Sequence, residues 1–136
     1  MMATNPGPYH LDETRAIFKP DLLAEMKNVS ETFYQELDEE FDDFKGHTLV
    51  SQFSFDEPWP TWEVHPKGDE LVYLLTGETD LILRVDGADK VVRVDKPGFF
   101  VVVPKGVWHT ARPLAPTTML FITAGEGTLN AETPED

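Results

Sequence analysis

Thr61-Trp62-Glu63-Val64-His65-Pro66-Lys67-Gly68-Asp69-Glu70-Leu71-Val72-Tyr73-Leu74-Leu75-Thr76-Gly77 reads as two short strands folded about a turn. Pro66-Lys67-Gly68-Asp69 carries the residues that tight turns require, and apolar positions alternate on either side. The same pattern continues in both directions. Strands are expected at His47–Phe55, Thr61–His65, Glu70–Thr76, Thr79–Val85, Val91–Val94, Phe99–Val103, Trp108–Arg112 and Thr118–Thr123. Thr76-Gly77, Asp86-Gly87, Pro97-Gly98 and Pro104-Lys105-Gly106 punctuate them, and Asp86-Gly87 predicts a hairpin over Leu81–Val94. Short strands at this spacing with no helix between them predict an all-β domain, a closed antiparallel barrel or jelly roll.

Upstream of Gly46 the period changes. Phe33, Leu37, Phe41 and Phe44 recur at helical spacing, which predicts a leading helix over 30–45 with Ser30 as N-cap and Lys45-Gly46 as its stop. Residues 1–20, rich in Pro, Gly and polar side chains, are expected to wrap the surface or stay loose. The organisation is therefore an N-terminal extension over 1–29, a barrel with its leading helix over 30–128, and an acidic tail over 129–136.

Composition narrows the function. The 136 residues include 11 basic and 25 acidic side chains, for a net charge of −14, and no cysteine. A disulfide scaffold, thiolate metal ligands and a cysteine nucleophile are excluded. The acidity argues against a nucleic-acid partner, whose phosphates require a cationic face. The apolar runs Leu81–Leu83 and Phe99–Val103 are too short to span a bilayer, and Met1–His10 has no leader pattern, so a cytoplasmic protein is expected. The charge sits at the ends: residues 12–43 hold 11 acids against three bases, and residues 44–125 hold ten acids against eight. The acidic ends read as a solvated surface, with docking to a basic partner as the other reading.

Four histidines are present. His10 lies in the N-terminal segment without an evident partner, and His47 opens a strand. Glu63 and His65 stand two apart and share one face of a strand, Glu70 opens the next strand, and His109 follows the Pro104–Gly106 turn. Two imidazoles and one or two carboxylates converging inside a barrel make a candidate divalent-metal site with open positions. Trp62 alternates away from Glu63, and Trp108 away from His109. Arg84, Arg93 and Arg112 read first as surface residues, with contact to an anionic substrate as the alternative.

These residues resemble the cupin superfamily. His65, Glu70 five residues on and Gly77 seven further match the second half of its first motif. Gly98, Pro104-Lys105-Gly106 and His109 match the Gly-x5-Pro-x-Gly-x2-His core of its second. Trp62-Glu63-x-His65-Pro66-x-Gly68-Asp69-Glu70, with a late Gly125-Glu126-Gly127-Thr128, resembles a small bacterial single-domain subgroup. Three positions depart from the superfamily pattern: Glu63 replaces the first histidine, Glu57 stands where a glycine is expected, and Pro113 replaces a closing asparagine.

The resemblance implies a small cupin barrel, a homodimer, and a metal held by His65, Glu70 and His109, with Glu63 as substitute fourth ligand. Two carboxylates and two neutral imidazoles around a divalent ion suit Fe, Mn or Ni, with Zn also admissible. Such a site suggests a dioxygenase or isomerase acting on a small oxygen-bearing organic molecule. Without metal, Glu63 and Glu70 would form a close carboxylate pair with one member driven neutral, a candidate general acid and base. Glu63 in the first-histidine position keeps open an alternative: a metal-free cupin that binds or senses a small ligand without turnover.

Overall fold

The computed structural model describes residues 5–135. Two strands come first, β1 (Thr14–Phe18) and β2 (Ala24–Asn28), followed by the helix α1 (Phe33–Glu40) and a 3-10 turn at Asp42–Phe44. Then come β3 (Thr48–Phe55), β4 (Trp62–Val64), β5 (Glu70–Thr76), β6 (Thr79–Val85) and β7 (Ala88–Val94). The chain ends with β8 (Phe100–Val103), β9 (His109–Pro113), β10 (Thr117–Thr123) and β11 (Leu129–Ala131). All strands pair antiparallel in two sheets, ordered β2-β1-β3-β10-β5-β8 and β11-β4-β9-β6-β7. The architecture is mostly β and consistent with a jelly-roll barrel.

Alternation decides which side chains enter. Val72 and Leu74 of β5, Leu81 and Leu83 of β6 and Met119 and Phe121 of β10 bury one face of each strand in a shared core with Val94, Val103 and Ala111. Turn chemistry fixes the register. Val85 pairs with Ala88 around Asp86-Gly87, both at positive φ (51° and 75°), so the predicted hairpin closes through a two-residue turn. Gly77 turns β5 into β6 at φ 94°, where a Cβ would lie 2.3 Å from the Pro116 carbonyl oxygen. No other residue fits there.

Each expected strand is present, most within a residue of its expected ends, while β7 starts at Ala88 rather than Val91. Two segments differ from expectation. Residues 1–20, read as loose or surface-wrapping, contain β1, which pairs with β2 in a hairpin and adds to the large sheet through Ile17 opposite Leu49. The acidic tail contains β11, which pairs with β4.

The helix is shorter than its apolar stripe. It begins at Phe33 with Thr32, not Ser30, at the N-cap position, and neither hydroxyl caps the backbone, because both donate to the Glu36 carboxylate. It stops at Phe41, and Asp42, Asp43 and Phe44 all take positive φ (53°, 53° and 58°). Aspartates tolerate that conformation better than most residues, while Phe44 adopts it under strain. The gain is burial: the bend carries Phe44 under the helix, so Phe33, Leu37, Phe41 and Phe44 close a second apolar cluster with Ile17 and Leu49. Each such side chain contributes about 1.5–3 kcal/mol. This helix and hairpin cover one end of the barrel and border its cavity.

Candidate metal centre

Three strands and one loop bring the expected residues together. Glu63 on β4 lies directly opposite His109 on β9, so their side chains share a face. His65 follows two residues after Glu63, and its carbonyl accepts from the Gly106 N–H at 3.0 Å, which ties the first turn to the Pro104–Gly106 turn. Glu70 opens β5 between Val103 of β8 and Thr123 of β10.

His65 Nε2 lies 3.2 Å from Glu70 Oε2, and His109 Nε2 lies 3.1 Å from Glu70 Oε1. One donor atom from each of these three buried residues falls within 4.8 Å of the other two, the arrangement of a group that could hold a metal ion. Glu63 Oε1 lies 3.4 Å from His65 Nε2, with the side chain 30% exposed to the cavity.

The tautomers follow from the outer partners. Thr128 Oγ1 donates its single proton to the Gly125 carbonyl at 2.9 Å, so its 2.8 Å contact with His65 Nδ1 has the imidazole as donor. His109 Nδ1 faces the Val107 carbonyl at 3.3 Å, which can only accept. Both neutral rings therefore carry the proton on Nδ1 and turn the Nε2 lone pair inward, the form that ligates metals. Thr123 Oγ1 donates to Glu70 Oε2 at 2.6 Å and fixes that carboxylate. Neither inner contact is aligned as a hydrogen bond: His65 Nε2, His109 Nε2 and Glu70 Oε1 are buried without a hydrogen-bond partner. Three orphaned donor atoms facing one another fit a cation, which supplies the missing partner for all three.

The carboxylates are electrostatically unlike. Burial pushes the Glu63 carboxyl up, against the pull of His65, and the Glu70 charge pushes it further. Burial also acts to raise Glu70, but the His109 and His65 rings, in their charged form, more than reverse it and hold Glu70 down to about 2. Burial lowers His109, while Glu70 and Glu63 outweigh it, so the net shift is upward.

Glu63, His65 and Glu70 form one wall of a cavity of about 470 Å³ whose other walls include Leu49, Phe53, Trp59 and Phe121, with His109 buried behind them. Trp59 stacks edge-on toward His109, with ring centroids 6.3 Å apart, and packs on Phe55 and Phe121. Thr123, Thr128 and Trp59 carried no role in the sequence reading. Trp59 lies between two prolines with no periodicity to mark it, and the threonines are uncharged. The remaining candidates lie elsewhere. His47 is packed on Phe41 and Phe44 with Nδ1 against the Lys45 carbonyl, and His10 is exposed beside Asp12. Arg84 pairs with Asp89 and Arg93 with Asp80, and neither these nor Arg112 lines the cavity. Among the described residues no helix is long and apolar enough to cross a membrane.

No family model matches the sequence, and no curated protein matches it. Solved structures do. Oxalate decarboxylase from Bacillus subtilis, a protein with Mn(II) centres, matches 62% of this chain at 16% identity with a TM-score of 0.53, and this chain spans 23% of that one. A cupin-2 domain protein from Shewanella frigidimarina matches at 20% identity over 55% of this chain and 68% of its own, TM-score 0.48. A cupin superfamily protein from Desulfitobacterium hafniense matches at 26% identity over 56% of this chain and 65% of its own, TM-score 0.47. The likeness to the decarboxylase is one of fold.

Proposed function

On the premise that this chain is a small cupin, we propose that it holds one divalent metal ion between His65, Glu70 and His109 and acts on a small oxygen-bearing organic molecule, as a dioxygenase or isomerase. The observation that carries the reading is the set of three buried, unpartnered donor atoms, Nε2, Nε2 and Oε1, facing one another beside the cavity. Two imidazoles and a carboxylate suit Mn, Fe, Ni or Zn. Bound there, a divalent ion supplies Lewis acidity to polarise an oxygen ligand.

The chain's own residues divide the remaining work. Thr128 and the Val107 carbonyl hold the imidazoles in the ligating tautomer, and Thr123 holds Glu70. Glu70, kept ionised and hydrogen-bonded, serves as a ligand. Glu63 is within reach as a fourth donor and is the member of the pair drawn toward its neutral form. Partly open to the cavity, it is the group placed to take a proton from a bound molecule or return one. Trp59 and Phe121 give that side an apolar lining. The same reading takes the protein as a cytoplasmic homodimer, on the strength of the sequence resemblance.

A metal-free binding module is the second reading, favoured by the short Glu70 contacts to both imidazoles, which balance charge without an ion. Metal analysis of the chain purified without chelator, beside His65→Ala and His109→Ala, separates the two. The metal reading expects bound ion in the natural chain and its loss in both variants. Equal, negligible metal in all three proteins overturns it.

A further inference from the structure

One wall residue of the cavity has no part in the reading above. Arg15, on β1, is the only Lys or Arg among the described residues that line it. Ile17, two residues on, is buried opposite Leu49, and Arg15 shares its face of the strand. Leu49 lies opposite Thr123, and Thr123 opposite Glu70, so Arg15 and Glu70 stand on one face of the same sheet. The order β1-β3-β10-β5 separates their strands by three steps, about 14 Å, and both side chains shorten that gap.

The guanidinium is held in place but not satisfied. Its carbon sits 4.7 Å from the Phe33 ring centroid and 5.6 Å from that of Tyr34, and Nη1 donates to the Tyr34 hydroxyl at 3.2 Å. Among the described residues no carboxylate forms an ion pair with it, and Nε is buried without a hydrogen-bond partner. A guanidinium stacked on aromatic rings and without a carboxylate partner is a preorganised receptor for a carboxylate, which it binds through paired N–H donors. Glu63, Glu70 and Asp38 line the same cavity and oppose a doubly charged phosphate, while one cation matches one negative charge. Between the two ends the wall is mostly apolar, formed by Leu49, Phe53 and Phe121 with the Ser51 hydroxyl among them.

We propose that Arg15 anchors the carboxylate of the cavity's ligand, which makes that ligand a small monocarboxylic acid with an apolar body. Its oxygen-bearing far end then reaches His65, Glu70 and His109, and only that second half rests on the metal reading. The N-terminal hairpin thus acts as the specificity element of the site.

Calorimetric titration of the full chain, metal-free and loaded with Mn²⁺, tests this with phenylacetate and hexanoate against their neutral amides. The acids are expected to bind at least about tenfold more tightly than the amides in both forms of the protein. Arg15→Gln is expected to remove that preference without changing metal content. Arg15→Lys is expected to keep the preference with several-fold weaker acid binding, and it carries the test where the glutamine variant does not fold. Absence of acid binding to the natural chain overturns the proposal, as does unaltered acid affinity in both variants. A preference that needs Mn²⁺ and survives Arg15→Gln also overturns it, because the carboxylate then sits on the ion. Arg15-dependent acid binding in a chain that retains no metal upholds the anchor while the metal reading fails.

Discussion

Two charged networks in this chain are built from similar parts and end differently. On the surface, Lys27 Nζ reaches Glu36 at 2.8 Å and Glu40 at 3.0 Å, and Ser30 donates to Glu36 at 2.7 Å alongside Thr32. Each carboxylate there has a donor, and the network staples α1 to β2. In the barrel, Thr123, Thr128 and the Val107 carbonyl satisfy only the outer edges of Glu70, His65 and His109, leaving the inner atoms without partners. A closed network is structure. One that is complete outside and open inside is a receptor.

The largest expected effect breaks the open network at its centre. Glu70→Gln keeps the shape but removes the charge between the imidazoles, and bound metal is expected to fall from about one ion per chain to background. In the metal-free variant, His109 should titrate lower than in the metal-free natural chain, because burial is then opposed by Glu63 without the larger contribution of Glu70. Imidazole proton shifts followed by NMR check this, and an unmoved His109 would refute the electrostatic account.

Thr128→Val tests the outer edge. Losing the acceptor for His65 Nδ1–H frees the ring and its tautomer, and metal affinity should drop about 10- to 100-fold. Competition with a chelator of known affinity gives the value, and unaltered affinity would mean that Thr128 does not set the ring.

The smallest effect belongs to the closed network. Lys27→Met should lower the melting temperature slightly at low ionic strength and less in salt, since the partners lie near the surface. Glu36 is held down to about 2 by Lys27, Thr32 and Ser30, from an ordinary value of 4.5. A depressed carboxylate stabilises the fold above its unfolded pKa and loses that contribution as pH falls through its folded one. The difference between natural and variant chains should therefore shrink between pH 4.5 and about 2. Thermal melts across that range decide it.

The barrel was legible because burying one face per strand imprints alternation, as Glu70-Leu71-Val72-Tyr73-Leu74 shows, and because Asp86-Gly87 and Gly77 demand their own turns. The hairpin before it was not, since Ala24–Asn28 is an edge strand with little buried surface to pattern it. Nor was β11, three residues inside an acidic stretch. The same limits applied at the site. His65, Glu70 and His109 announced themselves by spacing and chemistry, whereas Thr123 and Thr128 act through hydroxyls any surface strand could carry. Arg15 was hidden because its face becomes visible only once Thr14–Phe18 is known to be a strand with Ile17 inward.

The pairing of β11 with β4 has a consequence for the order of assembly. Leu129 meets Val64 across the small sheet, and Thr128, one residue earlier, sets the ring of His65. A ribosome releases the core-forming residues of β3 to β10 before it releases this segment. The core can condense first, and the imidazole acquires its orientation only as this later segment zips into place. On the metal reading, ion retention would then report that β11 has docked on β4. A protease cutting after Ala124 would silence the centre while leaving the barrel's apolar interior whole.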